Sequence, residues 1–158
     1  MRDALRRDYH GEGLTESELA ATAWEQARGW VDDAVYRSAE RHDVPEPLAM
    51  SLATVDAAGR PDVRTVLLRF FDPSGPGFVS SLESAKGVQI TGNPAVAAAI
   101  VWPAMYRAIR FRGVARQLRL GQALAVVVPA QRISHGTRLD WTDNGLKRRP
   151  AWRARKYP

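Results

Sequence analysis

The chain has 158 residues, of which 45% are hydrophobic and 25% charged, and it contains no cysteine. This length and composition indicate one globular domain that buries its core without disulfides. The lack of cysteine excludes thiolate nucleophiles and zinc–thiolate sites. No run of about 18 uncharged apolar residues occurs, and the N-terminus lacks the apolar stretch of a signal peptide. We therefore expect a cytoplasmic protein with no membrane partner.

The net charge of +6 comes from the C-terminal end of the chain. Six of the 23 Lys and Arg residues lie in residues 147–158, which contain no acidic residue, so residues 1–146 carry 17 basic and 17 acidic side chains. Such a basic run is more typical of a solvated tail or a local anion site than of a nucleic-acid interface. No aromatic stacking platform accompanies it, so nucleic-acid binding is the most distant of the alternatives.

The N-terminal third predicts one long helix. Thr15 and Glu18 form the pattern of a capping box, and the helical periodicity extends to about Arg41. The predicted apolar face consists of Leu19, Ala23, Trp24, Ala27, Trp30, Val31, Ala34 and Val35.

After Pro45 the pattern changes to short strands. The predicted strands are Ala49–Asp56, Val63–Phe71, Phe78–Ser80, Ala95–Trp102, Tyr106–Arg112 and Val114–Leu120, with a short helix near Ala85–Thr91. Turn residues 57–61 predict a hairpin between the first two strands. Short connections favour antiparallel pairing, so we predict a mainly β fold, a six-stranded antiparallel barrel with an N-terminal helix.

The whole chain, residues 1–158, is predicted to be a single domain. Residues 1–44 form an N-terminal arm and helix, residues 45–120 the barrel, and residues 121–158 a basic C-terminal segment. Within that segment, residues 123–128 are equally consistent with a strand and with a buried helical turn.

Several common catalytic motifs are absent from the sequence. It contains no Walker A loop, no GxGxxG after a strand, no HExxH and no GxSxG. The three histidines are far apart in the chain, so we predict no metal site.

Two arginines interrupt an apolar strand between residues 64 and 69. Strand alternation places Arg64, Val66, Leu68 and Phe70 on one face and Thr65, Leu67, Arg69 and Phe71 on the other. A buried arginine needs a partner, so each one either reaches the rim or pairs with a carboxylate, or it holds an anion through its guanidinium fork. The pattern leaves both interpretations open.

The following loop carries the parts of a phosphate site. Ser80, Ser81, Ser84 and Lys86 supply hydroxyl groups, one ammonium group and the start of a predicted helix. The alternative is that Ser84 only caps this helix.

The order of many short motifs resembles that of pyridoxamine 5'-phosphate oxidases and of the related flavin oxidases of phenazine biosynthesis. These motifs are Leu5–Tyr9, Gly13-Leu14, Glu46–Met50, Leu52–Asp56, Gly59–Pro61, Arg64–Arg69, Ser84–Gly87 and Asn93-Pro94. The resemblance implies a split β-barrel homodimer of the FMN-binding type, with FMN at the subunit interface and a small-molecule substrate.

The resemblance also implies roles for individual residues. The flavin contacts would be Arg64, Thr65, Val66, Leu67, Leu68, Arg69, Ser80, Ser84, Lys86 and Arg138. The substrate contacts would be Arg6, Tyr9, Arg69, Arg132 and His135, and His135 would also be the catalytic proton-transfer group.

The chain departs from the family pattern at three places. Val79 and Ser80 stand where the family has an aromatic residue and a threonine. Ala108 stands where the family has a glutamine that hydrogen-bonds the flavin, and only residues 121–131 bridge a region that is longer in the family. We therefore expect an FMN-dependent oxidase whose substrate is a nitrogen heterocycle or another secondary-metabolite intermediate. The alternatives are a flavin-free binding protein or cofactor-independent enzyme, a true pyridoxamine 5'-phosphate oxidase, and a deazaflavin-dependent reductase.

Overall fold

The computed structural model describes residues 14–120 and four further strand segments, residues 123–127, 132–134, 139–142 and 145–148. Two helices, α1 (Ala23–Arg41) and α2 (Ala85–Gly92), accompany two antiparallel sheets. Neither of these helices combines the length and apolar composition that crossing a bilayer would need.

Helix α1 begins seven residues later than the sequence predicts, with its N-cap at Thr22 rather than at Thr15. The Thr15–Glu18 pair is formed, with Thr15 Oγ1 2.7 Å from Glu18 Oε2, but it closes only a short 3-10 turn, Glu16–Glu18. A second capping box at Thr22 and Glu25 starts α1, because the extended backbone of Thr22 interrupts any helix before it. The predicted apolar face is correct at Ala27, Trp30, Val31 and Ala34 and wrong at Val35, which is exposed.

The larger sheet has seven strands in the order β11-β10-β9-β6-β5-β1-β2. Its strands are β1 (Ala49–Val55), β2 (Pro61–Leu67), β5 (Ala95–Trp102), β6 (Arg107–Val114), β9 (Arg132–Ser134), β10 (Leu139–Thr142) and β11 (Gly145–Arg148). The predicted hairpin is confirmed, since β1 and β2 pair antiparallel with Leu52 opposite Arg64.

The smaller sheet has four strands in the order β3-β4-β8-β7. Its strands are β3 (Phe70–Asp72), β4 (Gly75–Ser80), β7 (Arg116–Leu120) and β8 (Ala123–Val127). Residues 123–127 are therefore a strand, which pairs with both β4 and β7.

The predicted strand Val63–Phe71 is two strands that belong to different sheets. The Leu68 N–H donates to Leu48 O, beside the larger sheet, whereas the Arg69 N–H donates to Gly77 O in β4. The predicted alternation holds through Leu68, but Phe71 rather than Phe70 packs against the core, with its ring 4.8 Å from Trp24. The chain passes from one sheet to the other at this corner, so the alternation of inward and outward side chains starts again.

The core lies between the inner face of the larger sheet, α1 and β4. Its largest fully buried side chains include Trp102, Phe78 and Phe111. The indole N–H of Trp102 donates to Pro47 O at 2.9 Å, so the polar atom of this buried ring is satisfied.

The predicted mainly β, antiparallel fold with an N-terminal helix is confirmed. The described residues contain eleven strands rather than six, because Val63–Phe71 is divided and residues beyond 120 add four strands. Among the described strands the two sheets are not joined by a ladder, so the barrel is split rather than closed.

Candidate anion-binding site

Arg64 lies on the inner face of the larger sheet, where helix α2 packs against β1. Its Nη1 donates to Thr54 Oγ1 at 2.5 Å and to Leu52 O at 3.4 Å. Its Nη2 donates to Asp62 Oδ2 at 2.5 Å and to Gln89 Oε1 at 2.8 Å. The four terminal N–H groups of this guanidinium thus have acceptors within the chain.

Gln89 connects this arginine to helix α2. Its Oε1 also accepts from buried Thr54 Oγ1 at 2.5 Å, and its Nε2 donates to Asp62 Oδ2 at 3.1 Å. The amide of Gln89, together with the Arg64 charge, lowers the pKa of Asp62 against the opposing effect of burial. Asp62 is therefore an ionised partner of Arg64 at neutral pH.

The N-terminus of α2 is built from serine side chains. Ser84 Oγ accepts from the Gly87 N–H at 3.2 Å and donates to Ser81 O at 2.7 Å, so Ser84 is the helix cap. Ser80 Oγ, at the end of β4, lies 3.0 Å from Ser84 Oγ. The two predicted cofactor-contact serines are therefore adjacent, and both already take part in hydrogen bonds of the loop.

The first turn of α2 lies directly on the loop before it. A Cβ atom added to Gly87 would lie 2.4 Å from Ser81 O and 2.5 Å from Leu82 O, both backbone atoms. Only glycine permits this approach, which holds the helix start against the end of β4.

Lys86 is the charged residue of this helix turn. Within the described part of the chain, its ammonium group has no hydrogen-bond or ion-pair partner. The backbone N–H groups of Ala85 and Lys86 likewise have no acceptor among the described residues. A half-buried lysine and two free N–H groups at a helix start are the donors that a phosphate requires.

Helix α2 carries both Lys86 and Gln89, the residue through which Arg64 contacts the helix. Lys86 and Gln89 are three residues apart and so share a face of α2, and Gln89 contacts Arg64. Ser80, Ser84 and Lys86 thus lie at the start of α2, and Arg64 contacts the same helix at Gln89. This donor set fits the phosphate group of a mononucleotide such as FMN, with Lys86 as a cation that has no partner among the described residues.

The other residues of the Arg64–Arg69 segment are spread over three environments. Val66 and Leu68 share the inner face with Arg64, whereas Thr65 and Leu67 are exposed on the outer face. Arg69 is exposed at the corner between the sheets, after the break in the strand. The segment therefore does not present its six side chains to one site.

The side chains of five predicted site residues are not in the described part of the chain. Arg6, Tyr9, His135 and Arg138 lie outside the described residues. Arg132 begins β9, but its side chain is also outside the description. Their roles stay predictions.

Sequence reasoning missed three members of the inner cluster: Thr54, Asp62 and Gln89. The hairpin register pairs Thr54 with Asp62 and so supplies a signal for two of them, because Asp62 and Arg64 are two residues apart on one strand face. Gln89 gives no such signal, since its place beside Arg64 depends on how α2 packs on the sheet.

An open groove of about 1000 Å³ lies beside this cluster, between the β1–β2 turn and α2. Its charged residues, Asp56 and Arg60, are paired with each other at 2.8 Å. Apart from that pair, its lining is mostly small and apolar, so the groove adds no charged donor to the site.

Comparison with known proteins identifies relatives of this chain. A family model described as "Pyridoxamine 5'-phosphate oxidase" matches residues 36–148. A pyridoxine/pyridoxamine 5'-phosphate oxidase of Pseudomonas paraeruginosa is 44% identical over 109 residues, which are 69% of this chain and 49% of that protein. The chain spans about half the length of the curated relatives it matches.

Two solved structures share the fold. PhzG from Burkholderia lata, solved with tetrahydrophenazine-1-carboxylic acid, has a TM-score of 0.58 at 15% identity, covering 82% of this chain and 96% of that one. A pyridoxamine 5'-phosphate oxidase-related, FMN-binding protein from Nostoc punctiforme also has a TM-score of 0.58, at 16% identity, covering 82% and 90%. At these identities, the similarity concerns the fold.

Proposed function

Because this chain belongs to the pyridoxamine 5'-phosphate oxidase family, we propose that it is an FMN-dependent oxidoreductase that acts on a small molecule. The observation that carries this proposal is the position of Lys86 beside the N–H groups at the start of α2, since neither the ammonium group nor these N–H groups have a partner within the described part of the chain. When bound, FMN supplies the redox chemistry. The protein binds and orients FMN and the substrate, and His135 is the proposed proton-transfer group.

In this proposal, the phosphate end of FMN lies at the N-terminus of α2. Lys86 supplies the opposite charge, and Ser84 and Ser80 hold the helix start and its loop in place. Arg64, on β2, is a further proposed contact of the cofactor, and its charge is paired with Asp62. Residues 65–69 and Arg138 are retained as cofactor contacts on the resemblance alone.

The proposed substrate is a nitrogen heterocycle or another secondary-metabolite intermediate rather than pyridoxamine 5'-phosphate. Ala108 supports a changed pocket, since it lies half-buried opposite Val101 and its methyl group cannot replace a glutamine amide. Arg6, Tyr9, Arg69, Arg132 and His135 are the proposed substrate contacts.

A second copy of the chain is the proposed partner. The outer face of β1, β2 and β5 is mostly apolar, with Ala53 opposite both Val63 and Ala97, whereas Arg110 and Arg112 of β6 lie on the same face of the sheet. On this face Val63 is 67% exposed, Val101 58% and Leu67 47%. A flat face of small and β-branched residues that stays exposed is typical of an interface between subunits.

A flavin-free binding protein is the second candidate function. It is favoured by the internal hydrogen bonds of Arg64, which leave none of its terminal N–H groups unpaired. The two candidate functions differ in their expected cofactor binding, since only the oxidoreductase takes up FMN.

The visible absorption spectrum of the purified protein, before and after adding FMN, tests the proposed function. We expect flavin bands, a heat-released cofactor with the mass of FMN, and a molar mass in light scattering of two chains. A released cofactor with the mass of a deazaflavin would show that the protein binds a deazaflavin instead of FMN. A colourless protein that takes up neither compound would favour the flavin-free alternative.

His135→Ala is expected to lower turnover without loss of bound flavin, because the proposed role of His135 is to transfer a proton to or from the substrate. General acid–base catalysis contributes about 10²- to 10⁴-fold to a rate, so a fall of at least about tenfold is expected. His42→Ala is the control, since His42 ends α1 and its ring nitrogen contacts only Ser38 O among the described residues. An unchanged rate for His135→Ala would remove it from the mechanism.

A further inference from the structure

We propose that Asp62 sets the affinity of the α2 site for the phosphate group, by holding Arg64 in an internal ion pair. This inference rests on the proposed function. It assigns a residue that neither the resemblance nor the motif pattern identifies.

The geometry of Arg64 limits what it can offer to a ligand. Its side chain is 21% exposed, and all four of its terminal N–H groups have acceptors in Leu52, Thr54, Asp62 and Gln89. An arginine binds phosphate best through two parallel N–H groups. Arg64 can present such a pair only if at least one internal hydrogen bond breaks.

Asp62 is the one charged acceptor of the four. Its carboxylate lies 2.5 Å from Arg64 Nη2 and is also fixed by the Gln89 amide at 3.1 Å. The ion pair offsets the charge of Arg64 where this side chain contacts α2 at Gln89, so a phosphate that approaches α2 meets a weaker positive field. Phosphate and Asp62 therefore compete for the same guanidinium.

Thr54 and Gln89 are uncharged residues that hold the Arg64 side chain in place. Thr54 is buried, and Gln89 accepts from both Thr54 and Arg64. Replacement of the Asp62 carboxylate by an amide keeps an oxygen that can accept from Arg64 and leaves these neutral contacts in place. The charge of Asp62 can thus be removed with little change in shape.

The test compares FMN and riboflavin binding to the full-length protein and to Asp62→Asn at low and high salt. We expect Asp62→Asn to bind FMN about three- to tenfold more tightly at low salt, and less so at high salt, because Asp62 is 47% exposed and its field is screened. Riboflavin, which lacks the phosphate, should bind both proteins equally. Asp32→Asn is the control, since it removes the same charge from an exposed pair on α1.

The possible outcomes distinguish a failure of this inference from a failure of the proposed function. Equal or weaker binding of FMN by Asp62→Asn would overturn the inference while the proposed function stands. It would mean that Asp62 only orients Arg64. A similar gain in riboflavin affinity would also overturn it, because the effect would not lie at the phosphate. Failure of the unchanged protein to bind FMN would overturn both.

Discussion

Lys86→Gln is expected to weaken FMN binding by about 10- to 100-fold, the effect of removing a hydrogen bond between charged groups. Lys86 is the cation of the α2 turn that has no internal partner among the described residues. The loss should be confined to the phosphate, so the affinity for riboflavin should not change. Fluorescence titration of both flavins measures the two affinities.

Arg28→Gln is the matched control for this variant. Arg28 carries the same charge, but it lies on α1 and is paired with Asp32 on the protein surface. If Lys86→Gln bound FMN as tightly as Arg28→Gln does, the phosphate site would not be at the start of α2. A loss of affinity in both variants would indicate a general effect of net charge.

Gly87→Ala is expected to destabilise the protein by about 1–3 kcal/mol, the usual cost of forcing an extra carbon into a packed site. The new Cβ atom would lie 2.4 Å from Ser81 O and 2.5 Å from Leu82 O, and neither backbone atom can rotate away. Either α2 or the loop must shift, so FMN affinity should fall as well. Urea unfolding measures the first effect and flavin titration the second.

Gly92→Ala is the control on the same helix, because a Cβ atom at Gly92 meets nothing within 4 Å. Alanine is the better helix former by up to about 1 kcal/mol, so this variant should be as stable as the unchanged protein or more stable. Equal stability of the two variants would show that α2 is not held by the close approach at Gly87.

The local elements could be predicted because their signals span only a few residues. Ala95–Trp102 was predicted with its observed bounds, and the turn before Pro61 correctly predicted the β1–β2 hairpin. Turn chemistry and alternation act between neighbours in the chain, so they are visible in the sequence. The two capping-box patterns at Thr15 and Thr22 show the limit of such signals, since the Glu18 carboxylate accepts from the Thr15 N–H but only Thr22 forms a complete box and starts a long helix.

Some residues of the candidate site could be predicted from the sequence, but the contacts of Arg64 could not. The types and order of Arg64, Ser84 and Lys86 predict an anion site as one of two interpretations, and the structure places Ser84 and Lys86 at the start of α2 and Arg64 against Gln89 of the same helix. For Arg64, the sequence pattern allows either an ion pair within the chain or a bound anion. The structure places it in an ion pair with Asp62.

The sequence by itself determined the antiparallel β character, the hairpin and the residues that could bind an anion. Only the tertiary structure decided which of them are already paired. Gln89 lies 25 residues from Arg64 and 35 from Thr54, and it reaches both because α2 packs on the inner face of the sheet. A hydrogen bond needs its atoms within about 3 Å in the right direction, and across such separations that condition is set by packing rather than by local sequence.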